Sequence, residues 1–236
     1  MAKTAEISFK FSPNRGETTV QEWVYRELRE AILLGRIPPG RAMTIRGLAE
    51  LLGVSAMPVR EALRRLVAER ALTLPDNRRA RVPEMTAAKF EELVNARIAL
   101  ETLAAVRAMP MVDAKRLAFL RGIDERPLDQ VHVAEMEDNI VRNYLFHRSL
   151  YESEPSQVLM SLIESVWLQL GPFMRLAMSH IGDHYPVDRH NEAIAAIERR
   201  DAIALRIAIE ADIRDGIGHL GKAELLESYI TRFKAA

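Results

Sequence analysis

The stretch Leu48-Ala49-Glu50-Leu51-Leu52-Gly53-Val54-Ser55-Ala56-Met57-Pro58-Val59-Arg60-Glu61-Ala62-Leu63-Arg64-Arg65-Leu66 decides the fold. From Thr44 onward, Ile45, Leu48, Ala49, Leu51 and Leu52 recur with helical period. Gly53 stands where a left-handed backbone ends that helix. Ser55 is a good cap for the next helix and Pro58 fits its first turn, with Val59, Ala62, Leu63 and Leu66 as the buried stripe. Helix, short glycine-containing turn, helix is the spacing of a helix-turn-helix.

The neighbourhood extends this unit. Thr18 or Thr19 caps an upstream helix whose stripe is Val20, Trp23, Val24, Leu28 and Ile32. Gly35 ends it, and Ile37-Pro38-Pro39-Gly40 reads as a tight turn. Downstream, Ala71-Leu72-Thr73-Leu74 and Ala80-Arg81-Val82 flank the turn Pro75-Asp76-Asn77 and are expected to form a two-stranded ribbon, a wing. Residues 1–17 read as a flexible arm. After Pro83 only helical patterns occur: one from Thr86, then about Val112–Ile123, Val131–Glu152, Pro155–Ser179 with a bend at Gly171-Pro172, Val187–Arg199, Asp201–Gly216 and Gly221–Phe233. The expected architecture is mainly α: a winged helix-turn-helix over residues 18–83, then an all-α antiparallel helical bundle over 84–236.

Composition narrows the function. The 236 residues are 48% hydrophobic and 28% charged, ordinary for a globular protein. Cysteine is absent, which excludes disulfides, thiolate metal sites and thiol nucleophiles. The most apolar region, Ser156–Met174, is interrupted by Glu164 and Gly171-Pro172 and falls short of the roughly 20 apolar residues of a membrane span. No secretory pattern opens the chain, so the cytoplasm is the expected compartment. The net charge of zero divides unevenly: residues 1–83 hold 15 Lys+Arg against 9 Asp+Glu, and residues 84–236 hold 18 against 24. That asymmetry points to an anionic partner for the first part, nucleic acid above all.

Leu48–Leu66 strongly resembles the winged helix-turn-helix of the GntR superfamily, and Ile32–Gly40 resembles that family's first helix and turn. The helical remainder resembles the FCD effector domain of the FadR subfamily, through Arg97 with Glu101, Asn143-Tyr144-Leu145-Phe146-His147, and His190 and Asp201 at a spacing of 11. The resemblance implies a homodimeric transcription factor, in most relatives a repressor, on a pseudo-palindromic double-stranded DNA operator, with a small organic acid as effector.

The DNA-facing set expected from this motif is Arg46, Ser55, Met57, Pro58, Arg60, Arg64, Arg78 and Arg79. Arg60, one turn into the recognition helix, can pair bidentately with guanine O6 and N7. The alternative for it is an ion pair with Glu61 or Glu50. Arg46 reaches phosphate or base, Ser55 and Thr44 reach phosphate while capping helices, Arg64 and Arg65 reach the backbone, and Arg78, Arg79 and Arg81 sit at the wing. Ala56 stands where the family usually has an arginine and Arg79 where it favours a wing-tip glycine, which implies an altered operator preference.

A second constellation lies in the helical part. Asn143 and His147 are four residues apart and share one helix face. His190 and Asp212 each lie 11 residues from Asp201. With Asp201 at the bend of a helical hairpin, the two stand at similar heights on adjacent helices. Asn143, His147, His190 and Asp212 are therefore candidate ligands for a divalent metal, with zinc, nickel, manganese and iron all compatible. In the resembled domains the set is an Asp or Asn and three His, so Asp212 replaces the third His. The effector-binding candidates are Arg97, Asn143, His147 and His190. Arg97 can hold a carboxylate or pair with Glu101, and each histidine can equally be a hydrogen-bonded core residue. His180, His184 and His219 read as surface residues. Trp167, Phe173, Met160, Met174 and Met178 read as core or dimer interface.

Three functions compete: a ligand-responsive regulator, a constitutive DNA-binding dimer without effector, and a metal-dependent enzyme. The last lacks an acid/base pair, a nucleophile and a phosphate loop in the sequence, so a non-enzymatic protein is expected.

Overall fold

The computed structural model describes residues 17–39, 41–75, 79–123, 133–181 and 189–218. In chain order these hold α1 (Val20–Leu33), β1 (Ala42–Thr44), α2 (Ile45–Leu52), α3 (Ala56–Ala68), β2 (Arg79–Arg81), α4 (Ala87–Ala108), a 3-10 turn at Met109–Met111, α5 (Ala114–Ile123), α6 (Val133–Tyr151), α7 (Leu159–Ile181), α8 (Arg189–Glu198) and α9 (Ala202–Asp215). The fold is mainly helical, a winged helix-turn-helix followed by an all-helical region. The expected helix at Gly221–Phe233, and His184, His219 and the side chain of His180, lie outside the described residues.

Local chemistry explains the first three helices. Thr19 Oγ1 accepts the Glu22 amide (3.2 Å) and Thr44 Oγ1 the Gly47 amide (3.0 Å), satisfying amides that an α-helix leaves unpaired. Gly53 ends α2 at φ +63°, the left-handed turn expected from the sequence. Leu28, Ile32, Val59, Leu63 and Leu66 are fully buried between α1, α2 and α3; each contributes about 1.5–3 kcal/mol of burial.

The wing differs from the expected ribbon. β2 pairs antiparallel with β1, Ala42 opposite Arg81, Met43 opposite Ala80 and Thr44 opposite Arg79. The Ala71–Leu74 segment contributes only a bridge, Thr73 with Arg81, closed by amide bonds of 2.8 and 2.9 Å. Ala42-Met43-Thr44 is too short for alternation to stand out, although Met43 and Ala80 point inward and their neighbours outward.

In the helical region α4 is central and packs on α6, α7 and α9, with α8 against α9 and α5 against α6 and α8. Phe90 on α4 meets Phe173 on α7 edge to face at 5.9 Å. The two regions touch along α1 and α7. Gly171, expected to mark a bend, is a point of close approach: a Cβ there would stand 2.5 Å from Ile32 O and 2.8 Å from Leu33 Cα. Gly35, at φ +63°, lies against the same turn, where a Cβ would stand 3.0 Å from Gly171 O.

An ion cluster seals this contact. Arg36 donates to Glu137 on α6 from Nε (3.0 Å) and Nη2 (2.5 Å), and Arg175 on α7 pairs with the other Glu137 oxygen and donates to Leu34 O (3.2 Å). Partial burial pushes the Glu137 carboxyl up, but the Arg36 and Arg175 guanidinium groups outweigh it and hold the group below the usual range. A carboxyl depressed in the folded state stabilises above its unfolded value and loses that contribution as pH falls through the folded value. Glu137→Gln should therefore lower Tm by about 2–4 °C at pH 7, equivalent to about 1 kcal/mol for a partly screened cluster. The gap to wild type should close in acid, below pH 4.5. A gap that stays constant from pH 7 to pH 3 would refute this assignment.

Candidate DNA-binding face and effector cavity

The outward side of α3 carries Ala56, Met57, Arg60 and Arg64, all exposed, while Val59, Ala62, Leu63 and Leu66 are buried beneath. The burial of one stripe thus turns the other to solvent. Arg60 has no ion-pair partner among the described residues, because Glu61 is taken by Arg64 (2.8 Å). That Arg64 pair is exposed and worth little, so Arg64 can exchange it for phosphate. Ser55 occupies the cap position of α3 with no side-chain cap bond, leaving its hydroxyl available. Pro58 is half-buried in the first turn, Arg46 is exposed in the first turn of α2, and Arg79 and Arg81 are exposed on β2. Arg78 lies outside the described residues.

Arg65, expected at the DNA backbone, is engaged elsewhere. It pairs with Glu22 (2.6 Å) and its guanidinium lies 3.5 Å from the Tyr25 ring centroid, fastening α3 to α1. Burial and the hydrogen bond to Glu69 push the Tyr25 hydroxyl up to about 12. Glu69, the residue that closes α3, accepts from Tyr25 Oη (2.6 Å) and lies 4.0 Å from Arg29. Arg29 reaches Glu164 on α7 (2.9 Å), Glu164 reaches Arg148 on α6 (3.2 Å), and Arg148 donates to Tyr144 Oη (2.5 Å). A continuous polar chain therefore joins the end of α3 to the helical region.

That chain ends at a cavity of about 30 Å³, room for about two water molecules. Its polar end is Arg97 on α4 with Asn143 and His147 on α6. Its walls are Leu33 from α1, Ile140 and Tyr144 from α6, and Trp167, Leu170 and Met174 from α7. Trp167 and Met174, expected as core or interface, line this cavity, whereas Phe173 is core.

Behind the polar end lies a buried network. Arg97 donates from Nε to Glu101 Oε1 (2.5 Å), the same oxygen accepts Trp167 Nε1–H (2.6 Å), and Tyr151 Oη donates to Glu101 Oε2 (2.8 Å). Glu101 and His147 are fully buried and Arg97 nearly so. Burial works against the Arg97 charge, but the Glu101 carboxylate prevails and holds the guanidinium more firmly protonated than usual. Burial, and then Glu101, push the Tyr151 hydroxyl well up, so it stays a donor. Both sequence alternatives for Arg97 thus meet in one place: it is paired with Glu101 and faces the cavity.

The four metal-ligand candidates also converge. His147 Nε2 lies 2.9 Å from Asp212 Oδ2, His190 Nε2 lies 3.7 Å from Asp212 Oδ1, and Asn143 Nδ2 lies 3.4 Å from His190 Nε2. One donor atom each from His147, His190 and Asp212 falls within 4.8 Å of the others. Asp201 caps α9 by accepting from Ile203 N and Ala204 N, which makes the α8–α9 bend. The His190 ring stacks on Phe146 at 3.8 Å.

Sequence reading missed Tyr151, Tyr144 and Leu33 at this site. Tyr151 continues the face of Asn143 and His147 by one more turn, a signal that was present. Nothing local marks Leu33, because its place in the wall depends on how α1 crosses α7.

A helix-turn-helix head with an exposed basic face, joined to a helical region with a polar-ended cavity, defines a DNA-binding transcriptional regulator. Residues 20–82 match the model of bacterial regulatory proteins of the gntR family, and residues 92–215 match the FCD domain. The chain is 30% identical to the Escherichia coli K12 HTH-type transcriptional regulator McbR over 207 residues, 88% of this chain and 89% of that one. It is 27% identical over 185 residues to the Bacillus subtilis gluconate operon transcriptional repressor, 74% of each chain. The solved structure of E. coli McbR/YncC superposes with a TM-score of 0.76 at 28% identity, covering 90% of this chain and 99% of that one. A putative GntR regulator from Rhodococcus sp. RHA1 superposes at 0.67 with 25% identity, covering 90% and 100%. The protein belongs to the GntR family, in its FadR-type branch with an FCD domain, whose members are transcriptional regulators rather than enzymes.

Proposed function

We propose that this regulator is a cytoplasmic homodimeric repressor that reads a pseudo-palindromic operator through α3 and releases it when a small carboxylate enters the cavity. The observation that carries this reading is the shared helix α1. It packs under α3, supplies Leu33 to the cavity wall, and through Arg29 ties Glu69 at the end of α3 to α7. An effector acts only by binding one arrangement of the two regions better than another, and a ligand touching Leu33 is placed to do so. No described helix is long and apolar enough to cross a membrane.

The DNA half rests on Arg60, with Arg46, Ser55, Met57, Pro58, Arg64, Arg78 and Arg79 around it. On a duplex selected from random sequence by the wild-type protein, Arg60→Ala should weaken binding by about 1–3 kcal/mol, tenfold or more. Melting should be unaffected, since the side chain is exposed. Undiminished affinity for the selected duplex would sink the assignment of α3 as the reading helix.

The donor set fits a divalent cation. Tyr151 gives its single proton to Glu101, so His147 Nδ1 must donate to Tyr151 Oη (2.8 Å). His147 Nε2 and the Asp212 carboxylate then face each other at 2.9 Å and need a positive charge between them, a proton or a metal ion. His147, His190 and Asp212, with the Asn143 amide oxygen after rotation of its side chain, would hold zinc, nickel, manganese or iron. Bound there, the ion would supply positive charge and Lewis acidity toward an anionic oxygen. Its charge matters because Arg97, Glu101 and Asp212 sum formally to −1, which a proton on His147 brings only to zero, whereas a divalent ion in its place makes the set positive. The Tyr151–Glu101 chain orients the imidazole from behind.

Zinc at 100 times its dissociation constant should stabilise the protein by about 2.7 kcal/mol, a Tm rise of about 5–10 °C. EDTA should reverse the rise, and His190→Ala should abolish it. A rise that persists in His190→Ala places the ion elsewhere.

A further inference from the structure

We propose that the effector is a monocarboxylate with an apolar body, an aliphatic or aromatic acid, and not a polyhydroxy or polycarboxylic acid. The inference rests on the reading of this cavity as the effector site and adds the chemistry of the ligand's other end. The cavity is two-sided. Arg97, Asn143 and His147 make one polar end, and Leu33, Ile140, Tyr144, Trp167, Leu170 and Met174 make the rest of the wall. That wall carries two polar side-chain groups. Trp167 spends its N–H on Glu101, and Tyr144 Oη accepts from Arg148, so a single hydroxyl proton is left there to offer a ligand.

A sugar acid would bring several hydroxyl groups against this wall. Each one left without a partner costs about tenfold or more in affinity. A second carboxylate would fare worse, since a buried charge needs its own partner and the apolar side offers none. A hydrocarbon body gains from the same surface. A ligand body must widen this cavity of about 30 Å³, and Met174 marks the side where it would, because it is half-buried and unbranched and methionine re-forms its shape readily.

The test is calorimetric titration of the full-length, zinc-supplemented protein with acetate, hexanoate, benzoate, gluconate and citrate. Hexanoate and benzoate should bind at least tenfold more tightly than gluconate, and citrate no more tightly than acetate. Gluconate or citrate binding more tightly than both apolar acids would overturn the inference alone, since a carboxylate would still occupy the protein. No binding by any of the five would overturn the effector-site reading and the inference with it. Met174→Gln places the body: the ratio of hexanoate to acetate affinity should fall about tenfold. An unchanged ratio in this variant, with its melting temperature intact, would overturn the placement of the apolar body against α7.

Discussion

Glu101→Ala should destabilise the protein by about 3–5 kcal/mol, a fall in Tm of about 6–20 °C for a chain of this size. Glu101 is fully buried: it accepts from Arg97, Trp167 and Tyr151 with no solvent contact. Removing it strands a buried guanidinium, and two further donors lose their acceptor at about 1–3 kcal/mol each, not additively. The double variant Arg97→Met with Glu101→Leu separates these costs. It removes the charge with the carboxylate, so it should recover the part due to Arg97 and keep the part due to Tyr151 and Trp167. Chemical denaturation of wild type, single and double variants measures this. A single-variant loss below about 1 kcal/mol, no more than an exposed pair is worth, would show that water reaches the network.

Gly171→Ala should cost about 1–3 kcal/mol and disturb the seating of α1 on α7. The added methyl would meet backbone, not a flexible side chain: Ile32 O at 2.5 Å and Leu33 Cα at 2.8 Å. Helices cannot yield there without moving apart, and the movement enters the cavity through Leu33. Ordinary helix propensity predicts the opposite sign, since alanine is favoured over glycine by about 1 kcal/mol in a helix interior. Gly122→Ala on α5, where a methyl meets nothing within 4 Å, is the control and should stabilise slightly. Thermal melting of the two variants should therefore diverge in sign. Equal small gains in both would mean that α1 and α7 do not approach as closely as described.

The expectations that held depend on short-range chemistry. Thr19 and Thr44 cap their helices through amides three residues away, and Gly53 takes a positive φ readily because it has no β-carbon to clash with its own backbone. The exposed stripe of α3, with Arg60 on it, is the complement of a buried stripe spaced at 3.6 residues. The meeting of His147, His190 and Asp212 was also legible, because a hairpin bent at Asp201 puts residues equally distant from the bend side by side.

What the tertiary structure alone decided involves segments far apart in the chain or a choice between equivalent partners. β1 is three residues long and exists because β2 pairs with it across 34 intervening residues. Arg65 and Arg64 are adjacent and chemically equal, yet Arg65 is held by Glu22 and Tyr25 while Arg64 faces outward. The contact at Gly171 was not legible beside Pro172 in the sequence, because only the crossing of α1 over α7 puts a backbone carbonyl where its side chain would be. Leu33 carries no mark of a binding residue, and Trp167 and Met174 none that separates them from core. Sequence by itself determined the helices, their caps, the exposed basic face of α3 and the hairpin that brings His147, His190 and Asp212 together, because those follow from periodicity and neighbours within a turn or one bend. The packing of distant helices decided the cavity, its apolar wall and the polar chain to α3, because a side chain's surroundings are set by whichever segment is pressed against it.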